Sequence, residues 1–168
     1  MTERGSARAS KPAITIERTF TASPLELWEM WTTRDGLESW WGPDGFTSTV
    51  RALEFRVGGR LEIAMEATAP GPKAMLEAAG QPVINVNVHI FTEIEPPSRL
   101  AFTNRIAFLP GVEPYEVACS VDLEASPGGT RMIFTSDVMH DDRWTGLATA
   151  GWEGSFDRLG SVLNKNPK

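Results

Sequence analysis

A chain of 168 residues with 41% apolar and 23% charged side chains suits one globular unit able to bury a core. Its net charge of −6 and the lack of any Lys/Arg-rich run argue against a nucleic-acid binder, which would show a basic face. The single cysteine, Cys119, excludes an intrachain disulfide and fits a reducing, cytoplasmic setting. No apolar leader and no run of about 18 apolar residues suggest a secretory signal or a membrane span.

Residues 1–12 are small, polar and without period, so a disordered tail is expected there and one domain over 13–165. Ile14–Phe20 alternates as a first strand. Ser23-Pro24-Leu25-Glu26 then starts a helix, with Ser23 as N-cap, Pro24 in the first turn and Glu26 closing a capping box. Leu27, Trp28 and Trp31 keep helical spacing. A second short helix is expected over Gly36–Trp41, stopped by Gly42-Pro43, because proline cannot continue it.

Strands follow at Thr47–Val57 and Arg60–Glu66, joined at Gly58-Gly59, a hairpin signal. Ala67–Pro82 is Pro- and Gly-rich and reads as a loop with at most a helical turn at Ala74–Ala79. Val83–Glu95 alternates most cleanly. It puts Ile84, Val86, Val88, Ile90 and Ile94 on one face and Asn85, Asn87, His89 and Glu93 on the other. Leu100–Ile106, Tyr115–Leu123 and Met132–Val138 are further strands, separated by the Phe108–Pro114 loop and the Ser126–Gly129 turn.

The last element is a long helix starting after Asp141. Trp144, Leu147, Ala148, Trp152, Phe156, Leu159, Val162 and Leu163 recur at helical spacing as one apolar stripe. Gly146, Gly151, Gly154 and Gly160 weaken it by about 1 kcal/mol each relative to Ala, so packing must hold it. Gly151 sits beside the stripe and leaves room for a strand or a ligand.

Seven strands joined mostly by short links favour antiparallel pairing, and one helix cannot cover them flat. The expected fold is α+β, a curved antiparallel sheet of six to seven strands wrapped around the C-terminal helix, with a cavity between them. Six tryptophans against one tyrosine suit wide apolar walls.

Several short motifs stand in order along this frame. They are Arg18-Thr19-Phe20 with Ser23-Pro24, Trp28 and Trp31; Trp40-Trp41-Gly42-Pro43; and Arg56-Val57-Gly58-Gly59-Arg60. Glu93-Ile94-Glu95-Pro96-Pro97, Arg99-Leu100, Phe102-Thr103, Gly129-Thr130-Arg131 and Gly151-Trp152 with Leu159 complete the set. From Ala13 to Leu163 the chain thereby resembles the helix-grip (START-like, SRPBCC) superfamily and, within it, the family of homologues of the heat-shock-protein ATPase activator. The resemblance implies the helix-grip fold and a small hydrophobic ligand, such as a lipid, an aromatic or a polyketide-like molecule. The wider superfamily also holds cyclases, which makes a cyclase- or hydrolase-like enzyme the alternative, and the family's name suggests a chaperone-associated interaction protein as another. Three departures stand out: a long Ala67–Pro82 segment, His89 where a small residue is expected, and Asn104 where an aromatic is common.

Cavity-lining candidates are Trp40, Trp41 and Phe46 around the short helix, Trp144, Trp152 and Phe156 on the long helix, and Phe102, Asn104, Phe134 and Ser136 on strands. Arg56, His89 and Glu93 are candidate polar anchors. Arg56 and Glu93 suit ion pairs at strand ends better. For His89 the alternation favours the surface; the opposite facing would make Asn85, Asn87 and His89 a polar recognition strip. His140 reads as a loop residue and Cys119 as a buried structural thiol, since a reactive one needs exposure and a cationic neighbour. No spacing suggests a metal site or a phosphate loop or nucleophile elbow. The residues therefore lean away from catalysis and require no cofactor. Exposed strand edges leave room for a homodimer.

Overall fold

The structure is a computed structural model that describes residues 13–42, 44–107 and 111–165. The expected disordered tail, Pro43 and the Phe108–Pro110 part of the apolar loop lie outside the described residues. Strand β1 (Ala13–Phe20) leads into helices α1 (Pro24–Thr32) and α2 (Arg34–Trp40). Then come β2 (Phe46–Leu53), β3 (Arg60–Ala67) and helix α3 (Pro70–Ala78). β4 (Ile84–Glu95), β5 (Arg99–Ile106), β6 (Tyr115–Ser126), β7 (Gly129–Asp137) and the long helix α4 (Asp142–Lys165) complete the chain.

All seven strands form one curved antiparallel sheet in the order β1-β7-β6-β5-β4-β3-β2. Consecutive strands are neighbours except at the start, where α1 and α2 carry the chain from one sheet edge to the other. The capping box holds that crossover: Ser23 Oγ accepts from Glu26 N at 3.2 Å and Glu26 Oε1 accepts from Ser23 N at 2.8 Å. Helix α2 begins two residues before the expected start, because Thr33 Oγ1 accepts from Gly36 N at 3.0 Å and so serves as its N-cap. α4 starts as expected, with Asp141 Oδ1 accepting from Trp144 N at 2.8 Å.

The core lies between the concave sheet face and the helices. Trp31 is at its centre, fully buried, with ring centroids 4.7 Å from Trp40, 6.1 Å from Phe156 and 6.3 Å from Phe102. Phe134, Met132, Val121 and Ile16 floor this cluster, and Leu159 covers it from α4. Each such side chain contributes about 1.5–3 kcal/mol by leaving water.

Three elements depart from the sequence expectation. β2 ends at Leu53, so Phe55 and Val57 lie in the turn and are 38% and 61% exposed. Ala67–Pro82 contains a full helix, because Pro70 occupies the first turn, where no intrahelical N–H is required. The third is the facing of β4. His89 is opposite Leu61 and Asn104 and points into the core, 1% exposed, so the surface expectation is wrong.

The reason is a bulge between Phe91 and Glu93. Phe91 pairs with Phe102 and Ile94 with Leu100, and those partners are buried, so both Phe91 and Ile94 face inward on opposite sides of the bulge. A bulge shifts the phase of alternation by one residue. Ile94 therefore does not share a face with Ile84, Val86 and Ile90, which are 43%, 39% and 37% exposed on the convex face.

A polar-floored pocket under the long helix

The inverted facing of β4 builds the candidate functional site. A pocket of about 210 Å³ opens between the sheet and α4. Its floor is Met65 of β3, Asn87 and His89 of β4 and Asn104 of β5. Its roof is Ala148, Gly151, Trp152 and Ser155 of α4, and Trp41 with Gly42 closes one end. Ala148, Gly151 and Ser155 are spaced three and four residues apart, one small-residue stripe on the helix. A Cβ added at Gly151 would meet nothing within 4 Å.

The end wall is tied to the helix. Gly42 N donates to Ser155 Oγ at 3.1 Å, and Ser155 Oγ donates to Gly151 O at 3.0 Å. Arg158 Nη1 donates to Gly42 O at 2.9 Å and Phe46 O at 3.2 Å. Ser48 Oγ donates to Trp41 O at 2.6 Å. Gly42 has φ +91°, a conformation that a residue with a Cβ rarely adopts.

His89 dominates the floor. Its ring meets Trp41 edge-on at 5.3 Å and Phe102 at 5.1 Å, and neither ring nitrogen has a hydrogen-bond partner among the described residues. Burial lowers its pKa from 6.5 to about 4, so the imidazole is neutral at neutral pH, with one donor and one acceptor. Asn104 is its cross-strand partner and Asn87 precedes it by two on the same face. Among the described residues, no charged side chain lines the pocket. The two His89 nitrogens are the buried polar atoms of this floor without a partner among the described residues, and such groups cost about 1–3 kcal/mol each.

Among the cavity-lining candidates, the structure brings Trp41, Asn104 and Trp152 to the pocket wall together with His89. Trp40, Phe102, Phe134 and Phe156 are instead packed solid in the core. Ser136 is buried with its hydroxyl on Asp137 O at 3.0 Å. Phe46 is half-buried at the start of β2. Trp144 leans on His140 at 6.3 Å. Arg56 is exposed beside Glu54, and Glu93 pairs with Arg99 at 2.9 Å on the surface; both lie off the pocket because the turn and the bulge carry them outward. Sequence reasoning missed Gly42, Met65, Ala148 and Ser155. The small-residue spacing on α4 would have pointed to two of them.

Other reactive groups stand elsewhere. Cys119 is buried, and burial pushes its thiol up to about 12, where it is not a thiolate. His140 contacts the Tyr115 hydroxyl at 2.8 Å and Asp141 at 3.5 Å. Among the described residues, no cluster of His, Cys, Asp or Glu could hold a metal ion, and no helix is long and apolar enough to cross a membrane.

The profile of the family described as Activator of Hsp90 ATPase homolog 1-like protein matches residues 21–164. The chain belongs to this family. Solved structures agree on the fold. A protein of Chromobacterium violaceum is 22% identical with a TM-score of 0.74, covering 93% of this chain and 98% of its own. A protein of Arthrobacter aurescens is 23% identical with a TM-score of 0.73, covering 95% and 90%. The AHSA1 protein of Silicibacter pomeroyi is 19% identical with a TM-score of 0.71, covering 93% and 100%. No curated protein matches the chain. The helix-grip fold of the family is compatible with a hydrophobic ligand, and the pocket described above lies in the space such a fold leaves between sheet and helix.

Proposed function

We propose that this protein binds a small, largely apolar molecule in the pocket under α4 and performs no chemistry on it, in a cytoplasmic setting. The observation that carries this reading is His89, buried to 1% exposure with both ring nitrogens unpartnered at the pocket floor. An apolar hollow with a few convergent polar groups is the usual form of a ligand site. Trp41 and Trp152, 5.3 Å apart and steeply inclined, supply apolar walls.

A cyclase- or hydrolase-like reaction has one observation in its favour, the inward His89. With its pKa lowered by burial to about 4 it removes protons poorly at neutral pH, and among the described residues no carboxylate lines the pocket to orient it. Its neutral N–H suits holding a ligand. The family's name points to a chaperone ATPase, a partner that would meet an exposed sheet face or loop rather than this pocket.

Native mass spectrometry of the purified protein, with a thermal-shift screen of lipids and aromatic compounds, tests the reading. A ligand at about 100 times its dissociation constant adds about 2.7 kcal/mol, a Tm rise of several degrees. That rise should vanish in Gly151→Leu, which fills the roof. A bare chain mass together with no compound that shifts Tm sinks the proposal.

A further inference from the structure

We propose that the ligand is an uncharged aromatic molecule of one or two fused rings bearing a single hydrogen-bonding group (a phenol, an amide or a ketone), and that His89 and Asn104 recognise that group. This rests on the binding reading above and narrows it.

Size comes first. The pocket holds about 210 Å³, and a dry protein cavity of roughly 150 Å³ accepts benzene. One ring with a substituent fits, and two compact rings fill it. A long acyl chain or a linear polycycle would have to extend beyond it.

Charge comes second. Met65, Trp41, Trp152, Ala148 and Gly151 are apolar, and the polar lining residues Asn87, His89, Asn104 and Ser155 carry no formal charge at neutral pH. Arg158, the nearest cation on the roof helix, faces the Gly42 and Phe46 carbonyls. A carboxylate or ammonium would lose its hydration with no opposite charge to replace it.

Hydrogen bonding comes third. Ser155 Oγ already donates to Gly151 O and accepts from Gly42 N. The two His89 nitrogens have no partner among the described residues, and no hydrogen bond from the Asn104 carboxamide is found there either. Asn104 is directly across the strand from His89. Both line the pocket floor on neighbouring strands, and each carries donor and acceptor capacity. A hydroxyl or amide on a flat ring engages both, while a hydrocarbon leaves them unsatisfied. Losing such a bond to a buried group is worth about tenfold or more in affinity.

Calorimetric titration of the full chain with four probes decides it: 2-naphthol, 2-methylnaphthalene, 2-naphthoate and decanoate. We expect 2-naphthol to bind at least about tenfold tighter than each of the others. His89→Phe should remove that preference over 2-methylnaphthalene, and Asn104→Leu should reduce it, so a folding defect in one variant leaves the other to decide. In the wild type, 2-naphthol should also shift the ¹⁵N resonances of the His89 ring. Naphthoate or decanoate binding as tightly as 2-naphthol overturns the ligand class while the pocket stands. A preference for 2-naphthol that survives both substitutions overturns the roles of His89 and Asn104. If no probe binds the wild type, the binding reading falls, and this inference with it.

Discussion

The two halves of α4 meet the same sheet in opposite ways. From Gly151 onward the helix is anchored: Ser155, Phe156 and Leu159 are buried, and Phe156 packs 5.3 Å from Phe134 and 6.1 Å from Trp31. Between Asp142 and Ala150 no residue is buried, and Leu147 is 52% exposed. The difference lies in side-chain size. Bulky residues such as Phe156 and Leu159 pack the second half against aromatics, whereas at the junction of the two halves Ala148, Gly151 and Ser155 present only small side chains to the sheet and roof the pocket. The sheet beneath that junction carries Asn87, His89 and Asn104, so it cannot collapse onto the helix by apolar contact. A cavity arises where small residues above oppose polar residues below.

Truncation on the packed half gives the largest expected effect. Phe156→Ala removes a fully buried ring from a close-packed cluster and should cost about 3–5 kcal/mol in urea denaturation. Leu147→Ala on the other half should cost less than about 1 kcal/mol, as for an exposed site. Equal losses would break the contrast between the two halves.

A second effect belongs to the pocket floor. In the unfolded chain His89 takes up a proton below about pH 6.5, but in the fold it does not until about pH 4. Between those values the unfolded state binds more protons, so stability falls as pH falls. The contribution is fully present above pH 6.5 and lost by about pH 4, at roughly 3 kcal/mol in all. Trp41, Phe102, Leu61 and Asn104 surround the ring and none is charged, so no counter-ion offsets the loss. Comparing urea midpoints of wild type and His89→Phe from pH 7 to pH 4 isolates this residue from the surface carboxylates. The variant should show the shallower decline; parallel curves would mean that burial does not hold His89 neutral in the fold.

Much of the fold was legible in the sequence because the relevant signals are local. Ser23 and Glu26 state a helix start, Gly128-Gly129 a hairpin, and the Trp144–Leu163 spacing a helix. The pocket was less legible, because facing is not a local property. In β4 the alternation before the bulge is clear, yet it does not say which side is inside. That was decided at a distance, by Phe91 pairing with Phe102 and Ile94 with Leu100. Taking the apolar set Ile84, Val86, Val88 and Ile90 as the inner face, with Ile94 added across the bulge, gave the wrong face and sent His89 outward. The aromatics were legible as buried, but burial alone did not separate Trp41 and Trp152 at the wall from Trp40 and Phe156 inside the core. Only the third dimension distinguishes a wall from a filling.

The smallest effect is the finest test of the comparison. Gly146 and Gly151 are both helical, and an added Cβ would meet nothing within 4 Å at either. Alanine at each should raise helix propensity and stabilise the fold by up to about 1 kcal/mol. The reasons for the empty space differ. Gly146 is exposed, whereas Gly151 faces the pocket. Gly146→Ala should therefore gain stability with unchanged affinity for an aromatic probe such as 2-naphthol. Gly151→Ala should gain similar stability while binding that probe several-fold more weakly, since its methyl group takes up ligand space. A paired measurement of Tm and affinity checks both. If Gly151→Ala gains stability and keeps full affinity, the ligand does not reach the helix, and the small-residue stripe exists for packing rather than for a guest.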